Sequence, residues 1–159
     1  MLYAILVFAL VALDQLVKYL VRANIDLGQT VDFIPGVLGL TYVQNTGAAF
    51  SSFSEHTWLL TLISAAVSLA IVVVLVKGYI RHPAGKAIMS VILAGAVGNL
   101  IDRALFGFVT DMFQTLFMRF AVFNVADICV VLGGIAFCIY VLFFYERLEK
   151  TDGADSADR

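Results

Sequence analysis

From Trp58 to Val76 the chain carries no charged residue; every side chain there is apolar, serine or threonine. A bilayer core takes about 20 apolar residues in helical form, because a helix satisfies its own backbone hydrogen bonds without water. This stretch is therefore long enough to span a membrane. Three others resemble it: Leu2 to Leu20, Ala84 to Leu105 and Phe120 to Tyr145. Composition agrees. The chain is 62% hydrophobic and 14% charged, whereas a soluble domain is about 45–50% apolar and about 25% charged. Disorder is excluded by the same numbers. A formal net charge of −2 argues against a nucleic-acid binder, which carries a basic stripe. The sequence reads as an all-α integral membrane protein with four transmembrane helices, a single membrane-embedded domain over residues 1–159.

The first span is expected to be retained rather than cleaved as a signal peptide, since no basic segment precedes it and Asp14 interrupts the apolar run. Lys and Arg favour the cytoplasmic side. Lys77, Arg81 and Lys86 cluster between spans two and three, and Arg147, Lys150 and Arg159 follow span four. The other two connections hold Arg22 and Arg119. Both termini are thus expected inside, with 23–56 and 106–119 outside. The acidic segment 146–159 reads as a frayed cytoplasmic tail. Within 23–56, the β-prone runs Val31–Ile34 and Val37–Gln44 flank Pro35-Gly36, a turn pair. They predict a small extracytoplasmic β element and loop.

Neither cysteines nor histidines point to a metal. Cys129 and Cys138 fall on one predicted helix, roughly 13 Å apart and too far for a disulfide. His56 and His82 sit in separate polar segments without zinc-site spacing. No metal and no cofactor are expected.

The informative residues are the charges in or beside the spans: Asp14, Lys18, Asp102, Arg103 and Asp127. Each costs about 2.5–3.5 kcal/mol at a helix centre, so five unpaired would cost roughly 12–18 kcal/mol. Asp14 and Lys18 are four apart with the acid first, the favourable order for an ion pair. Asn99, Asp102 and Arg103 share one helix face, and Gly95 and Gly98 open nearby surface to another backbone. Asn124 and Asp127 share a face of the fourth span, about seven residues and roughly 10 Å from its expected outer end. Asp14 has Lys18 as a local partner and Asp102 has Arg103 beside it. Asp111 and Asp127 have no local base. Two such carboxylates near one membrane face can share a proton, one acid and one base, which is the equipment of an aspartyl hydrolase. A proton relay through Asp14, Asp102 and Asp127 uses the same residue types, although no inverted repeat supports a transporter. A structural subunit whose charges pair with a partner is the third reading. A presenilin-type protease fits less well, because its Gly-x-Gly-Asp signature is absent.

Five stretches together carry more information. They are Asp14-Gln15-Leu16-Val17-Lys18, Asn45-Thr46-Gly47-Ala48-Ala49-Phe50, Gly95 to Arg103, Val109-Thr110-Asp111-Met112-Phe113 and Phe123-Asn124-Val125-Ala126-Asp127. In this order and with four spans, the chain resembles the bacterial signal peptidase II family, the lipoprotein signal peptidases. The resemblance implies a catalytic pair at Asp111 and Asp127. It implies that Asn45, Gly47, Asn99, Arg103 and Asn124 position substrate or support the pair, with Asp14, Lys18 and Asp102 in the supporting polar framework. It also implies a monomeric enzyme of the bacterial cytoplasmic membrane, with its site toward the extracytoplasmic face. The implied substrate is a diacylglyceryl-modified prolipoprotein, cleaved just before the lipidated cysteine. This sequence departs from the family where Thr110-Asp111-Met112 replaces the frequent Val-Asp-Phe. The connection after Arg103 is also short.

Overall fold

Each apolar run becomes a helix, and the structure, a computed structural model, describes residues 1–47 and 57–145. The helices are α1 (Leu2–Asn24), α2 (Thr57–Lys77), α3 (Pro83–Phe106) and α4 (Val125–Ile139), the last continued by a π-helical turn over Tyr140–Phe144. All four are long and apolar enough to cross a membrane. The tail 146–159 and Ala48–Phe50 lie outside the described residues.

α3 is the central element, packed against α1, α2 and α4. It buries Met89, Leu93, Ala94, Gly95, Gly98, Asn99 and Asp102, whereas α2 buries only Ser68 and Ile71 among its residues. Apolar side chains left exposed on the outer helices, such as Phe8, Leu16, Leu69, Val131 and Leu142, form the surface a hydrocarbon core covers. At one end of the bundle Ile71, Ile80, Met89 and Leu93 form an apolar cluster. There Pro83 opens α3, and the His82 side chain caps it by accepting the Ala84 N–H at 3.2 Å.

The opposite end carries a three-stranded antiparallel sheet of β1 (Thr30–Ile34), β2 (Leu38–Asn45) and β3 (Val109–Thr115), in that order. The first two strands match the two β-prone runs and their Pro35-Gly36 turn, where Gly36 adopts φ 72°. The third corrects the sequence reading, in which 106–119 is a plain external connection: Val109–Thr115 is a strand. Gly107, at φ 76°, ends α3 and turns the chain straight into β3. Val43 lies opposite Asp111 across the β2–β3 ladder.

A second correction concerns α4. The sequence starts this span near Phe120, but Phe120–Phe123 is not helical. Phe123 instead exchanges backbone hydrogen bonds with Phe113 of β3, at 3.2 and 2.8 Å. Asn124 is the N-cap, so Asp127 sits in the first turn of α4, not two turns deep. Apolar side chains suit either conformation; the Asn124 cap, which accepts the Asp127 N–H, decides where the helix begins.

α3 and α4 approach so closely at Gly95 that a Cβ there would strike the Ala126 carbonyl and come within 2.8 Å of Val130. Both obstacles belong to the first turns of α4, and the carbonyl cannot rotate away. Gly95→Ala should therefore lose about 1–3 kcal/mol through overpacking. It should also displace Asp127 from its α3 partner, Asn99. A lower melting temperature in detergent is the expected result; a wild-type melting temperature would show that the contact gives way without cost.

Candidate active site

The site is built outward from α1. Asp14, Lys18 and Arg22 recur every four residues and face α3. Lys18 is fully buried. Its ammonium contacts Asp14 at 2.9 Å and Asp102 at 3.4 Å, and donates to Asn99 Oδ1 at 3.0 Å. Asp14 is thus not confined to a local pair. It also accepts the Ala126 N–H of α4 at 2.9 Å. Asp102 accepts the Thr110 N–H of β3 at 2.9 Å and lies 3.9 Å from Arg22.

Asp102 and Arg103, adjacent in sequence, do not pair with each other. Relative to Asn99, Asp102 is rotated by about 60° to one side and Arg103 by about 40° to the other. Asp102 consequently faces α1 and β3. Arg103 faces α2, where Nη1 donates to Ser64 Oγ at 3.3 Å. Its buried Nε has no partner among the described residues.

Asp111 and Asp127 arrive from different elements and are held by three asparagines, of which only Asn124 serves both. Asp111, 2% exposed on β3, accepts from Asn124 Nδ2 at 2.6 Å and from Asn45 Nδ2 at 2.8 Å. Asp127, half-buried, accepts from Asn99 Nδ2 at 2.7 Å and from the Asn124 backbone N–H at 3.1 Å. The second contact completes a capping box at the start of α4. Gly47 donates its N–H to Asn45 Oδ1 at 3.0 Å. Asn45, Gly47, Asn99, Arg103, Asp111 and Asp127 all line one cavity of about 480 Å³, whose other walls are apolar and include Val109, Phe123, Val131 and Leu132. Asn124 stands behind this lining; Asp14, Lys18 and Asp102 form a layer behind that.

Three participants were not among the expected site residues. Gln15 Nε2 donates to Asp102 Oδ1 at 3.0 Å and to the Gly98 carbonyl at 3.1 Å. Arg22 Nη1 donates to Thr110 Oγ1 at 2.8 Å while its guanidinium lies over the Phe106 ring. Ser64 holds Arg103. The four-residue stripe continuing Asp14 and Lys18 to Arg22 was a readable signal for Arg22. A glutamine inside an apolar span was one for Gln15, since it requires a buried partner. Nothing in the sequence marked Ser64.

Burial pushes the Asp111 carboxyl up to about 6, from 3.8; the N–H of Asn45 opposes this, the Asp127 charge adds to it, and the Asn124 N–H and the Lys18 charge oppose it in turn. At about pH 3 or below, this group is largely protonated in folded and unfolded chains alike. As pH rises toward 6, the unfolded chain releases its proton first, so the folded state loses up to about 3 kcal/mol. A variant without this carboxyl escapes that loss. Asp111→Asn should therefore gain on the wild type in melting temperature as pH rises from about 4 to about 7. A gap that does not change with pH would mean that Asp111 titrates as an ordinary solvated carboxylate.

Comparison with known proteins agrees with this architecture. A family model described as signal peptidase (SPase) II matches residues 6–143. A lipoprotein signal peptidase of Enterococcus faecalis is 44% identical over 156 residues, covering 98% of this chain and 96% of that protein. One from Clostridioides difficile is 39% identical over 147 residues, covering 92% of this chain and 99% of its own length. A solved structure described as a bacterial membrane enzyme, at 2.3 Å, superposes with a TM-score of 0.83 at 30% identity, covering 88% of this chain and 87% of that one. A second, at 1.9 Å, gives 0.81 at 29% identity, covering 89% and 93%. With four membrane-spanning helices, one small sheet and a match along nearly its whole length, the chain belongs to the signal peptidase II family.

Proposed function

We propose that the protein is an aspartyl endopeptidase that removes the signal peptide from diacylglyceryl-modified prolipoproteins, cutting just before the lipidated cysteine. The observation that carries this reading is the convergence of Asp111 and Asp127, from a strand and a helix start, on one cavity that also holds Arg103, Asn45 and Asn99. The curated relatives are lipoprotein signal peptidases, and the substrate class follows theirs.

In this reading a water molecule sits between the two carboxyls. Asp127 is the base, since its oxygens take N–H bonds at a helix N-terminus, where negative charge is favoured. Asp111, deeper and with its carboxyl raised to about 6, is the group that holds the shared proton. Asp127 takes a proton from the water as its oxygen bonds to the scissile carbonyl carbon. Asp111 gives its proton to the carbonyl oxygen, and the tetrahedral adduct collapses as the proton on Asp127 passes to the leaving nitrogen and one hydroxyl of the adduct returns its proton to Asp111. The carbon–nitrogen bond breaks and the acid product forms. Arg103 offers N–H donors to the extended substrate backbone, whose polar groups need partners beside lipid.

Asp111→Asn and Asp127→Asn should each lower cleavage of a diacylglyceryl-modified prolipoprotein peptide by at least about a thousandfold, in line with other catalytic groups that act as a unit. Each amide is isosteric but cannot exchange the proton. Purified protein in detergent and the rate of product formation decide it, and normal turnover by either variant would remove that residue from the reaction.

The site's orientation follows from charge. Lys77, Arg81 and Lys86 lie at the end of the bundle opposite the cavity, and the positive-inside rule assigns that end to the cytoplasm. The termini then lie inside and the cavity opens to the outer face of the bacterial membrane. On a background lacking Cys129 and Cys138, His82→Cys should resist a membrane-impermeant thiol reagent added to intact cells. Labelling from outside would reverse the orientation.

A further inference from the structure

We propose that Lys18 is a positioning residue for the reaction. It acts on Asp127 through Asn99, by fixing which end of the Asn99 amide faces the carboxylate. The inference rests on the proposed role of the dyad.

The argument is one of donors and acceptors. An asparagine amide has an oxygen that only accepts and an NH₂ group that only donates. A carboxylate beside it is held only if the NH₂ end faces it. Three amides serve Asp111 and Asp127, and each needs its oxygen pinned elsewhere. For Asn45 the pin is a backbone group, the Gly47 N–H at 3.0 Å. For Asn124 it is also a backbone group, the Asp127 N–H at 2.9 Å. Asn99 sits inside α3, where its oxygen has no such backbone donor among the described contacts. Its oxygen accepts from Lys18 Nζ at 3.0 Å and, less closely, from Asn124 Nδ2 at 3.2 Å.

Lys18 suits this task because an ammonium carries three donors and no acceptor. The acceptors around it are Asp14 Oδ2, Asp102 Oδ2, Asn99 Oδ1 and the Gly98 carbonyl at 3.5 Å. A reversed Asn99 would set NH₂ against the ammonium in a fully buried place, and would turn its oxygen toward Asp127. A charged donor on the amide oxygen also makes the opposite N–H a stronger donor. The sense of hydrogen bonding thus runs one way, from Lys18 through Asn99 to Asp127.

The competing role is charge balance alone, with Lys18 serving only to neutralise Asp14 and Asp102. Two neutral replacements separate the roles. Lys18→Met and Lys18→Gln both remove the charge and fill similar space, but only glutamine keeps N–H donors. Each is made on an Asp14→Asn background, so that losing the ammonium does not add an unpaired acid. Relative to Asp14→Asn alone, the methionine variant should lose at least about tenfold in kcat with KM within about twofold, the signature of an interaction felt in the chemical step. The glutamine variant should stay within about threefold. Melting curves in the same detergent confirm that the variants compared are folded. Equal kcat in the two variants, or a loss confined to KM, would overturn the proposal. Should the methionine variant fail to fold, the glutamine variant decides alone, and a folded protein slowed more than about tenfold overturns it. Turnover by Asp127→Asn in the same assay would sink the dyad reading instead, so the two failures are told apart.

Discussion

A lysine ammonium sealed from water at the junction of two membrane helices constrains everything around it. Hydrocarbon supplies no solvent, and an uncompensated buried ion costs several kcal/mol. Lys18 therefore requires acceptors, which it finds in Asp14 one turn back on α1 and in Gly98, Asn99 and Asp102 on α3. That set fixes the register of α1 against α3. The two acids each have a second task. Asp102 accepts the N–H of Thr110, and Asp14 accepts the N–H of Ala126. Thr110 immediately precedes Asp111, and Ala126 immediately precedes Asp127. The buried cluster thus holds the backbone of β3 and of α4 at the positions next to the two proposed catalytic carboxyls.

The carboxyls themselves are held by groups with structural work of their own. Asp127 and Asn124 form the capping box that begins α4, which locks the Asp127 side chain without adding any residue for that purpose. Capping and chemistry are compatible here because the cap leaves Asp127 half-buried, on the cavity wall. Asn45 ends β2, and the β2–β3 ladder places it across from Val109, two residues before Asp111. The small sheet is therefore more than an external ornament. It is what brings an asparagine and an aspartate 66 residues apart in the sequence within 2.8 Å.

Much of this was legible in the residues, for identifiable reasons. Span positions follow from long apolar runs, and the Asp14–Lys18 pair and the β1–β2 hairpin from local spacing. What escaped depends on distant partners. β3 pairs with β2 across a long sequence separation, and Val109 to Met112 are buried on both faces, so the alternation that marks a half-buried strand is missing. The start of α4 was misplaced because hydropathy cannot distinguish an extended Phe120–Phe123 from a helical one; Asn124 was the available cue. Asp102 and Arg103 stand side by side in sequence, but neighbours on a helix point apart, and the partners each one finds lie on other elements. The roles implied for Asn45, Asn99 and Asn124 came from resemblance. No spacing within one segment reveals that three asparagines from three elements converge.

The placement of the cavity fits the proposed substrate, which cannot leave lipid. Each buried CH₂ of an acyl chain is worth about 0.8 kcal/mol, so extracting a diacylglyceryl group into water is prohibitive. Val131 and Leu132 line the cavity and yet are 57% and 59% exposed. They belong at once to the cavity wall and to the outer apolar surface of α4. The cavity is consequently continuous with the lipid-facing side of the bundle, and an acyl-anchored chain can enter sideways while its tails stay in hydrocarbon. The polar wall, with Asp111, Asp127, Asn45 and Arg103, gathers at the helix ends next to the sheet, where water is available for hydrolysis. A site deeper along α4 would strand the water, and one raised onto the sheet would strand the acyl chains. The first turn of a membrane helix, capped by its own aspartate, satisfies both demands.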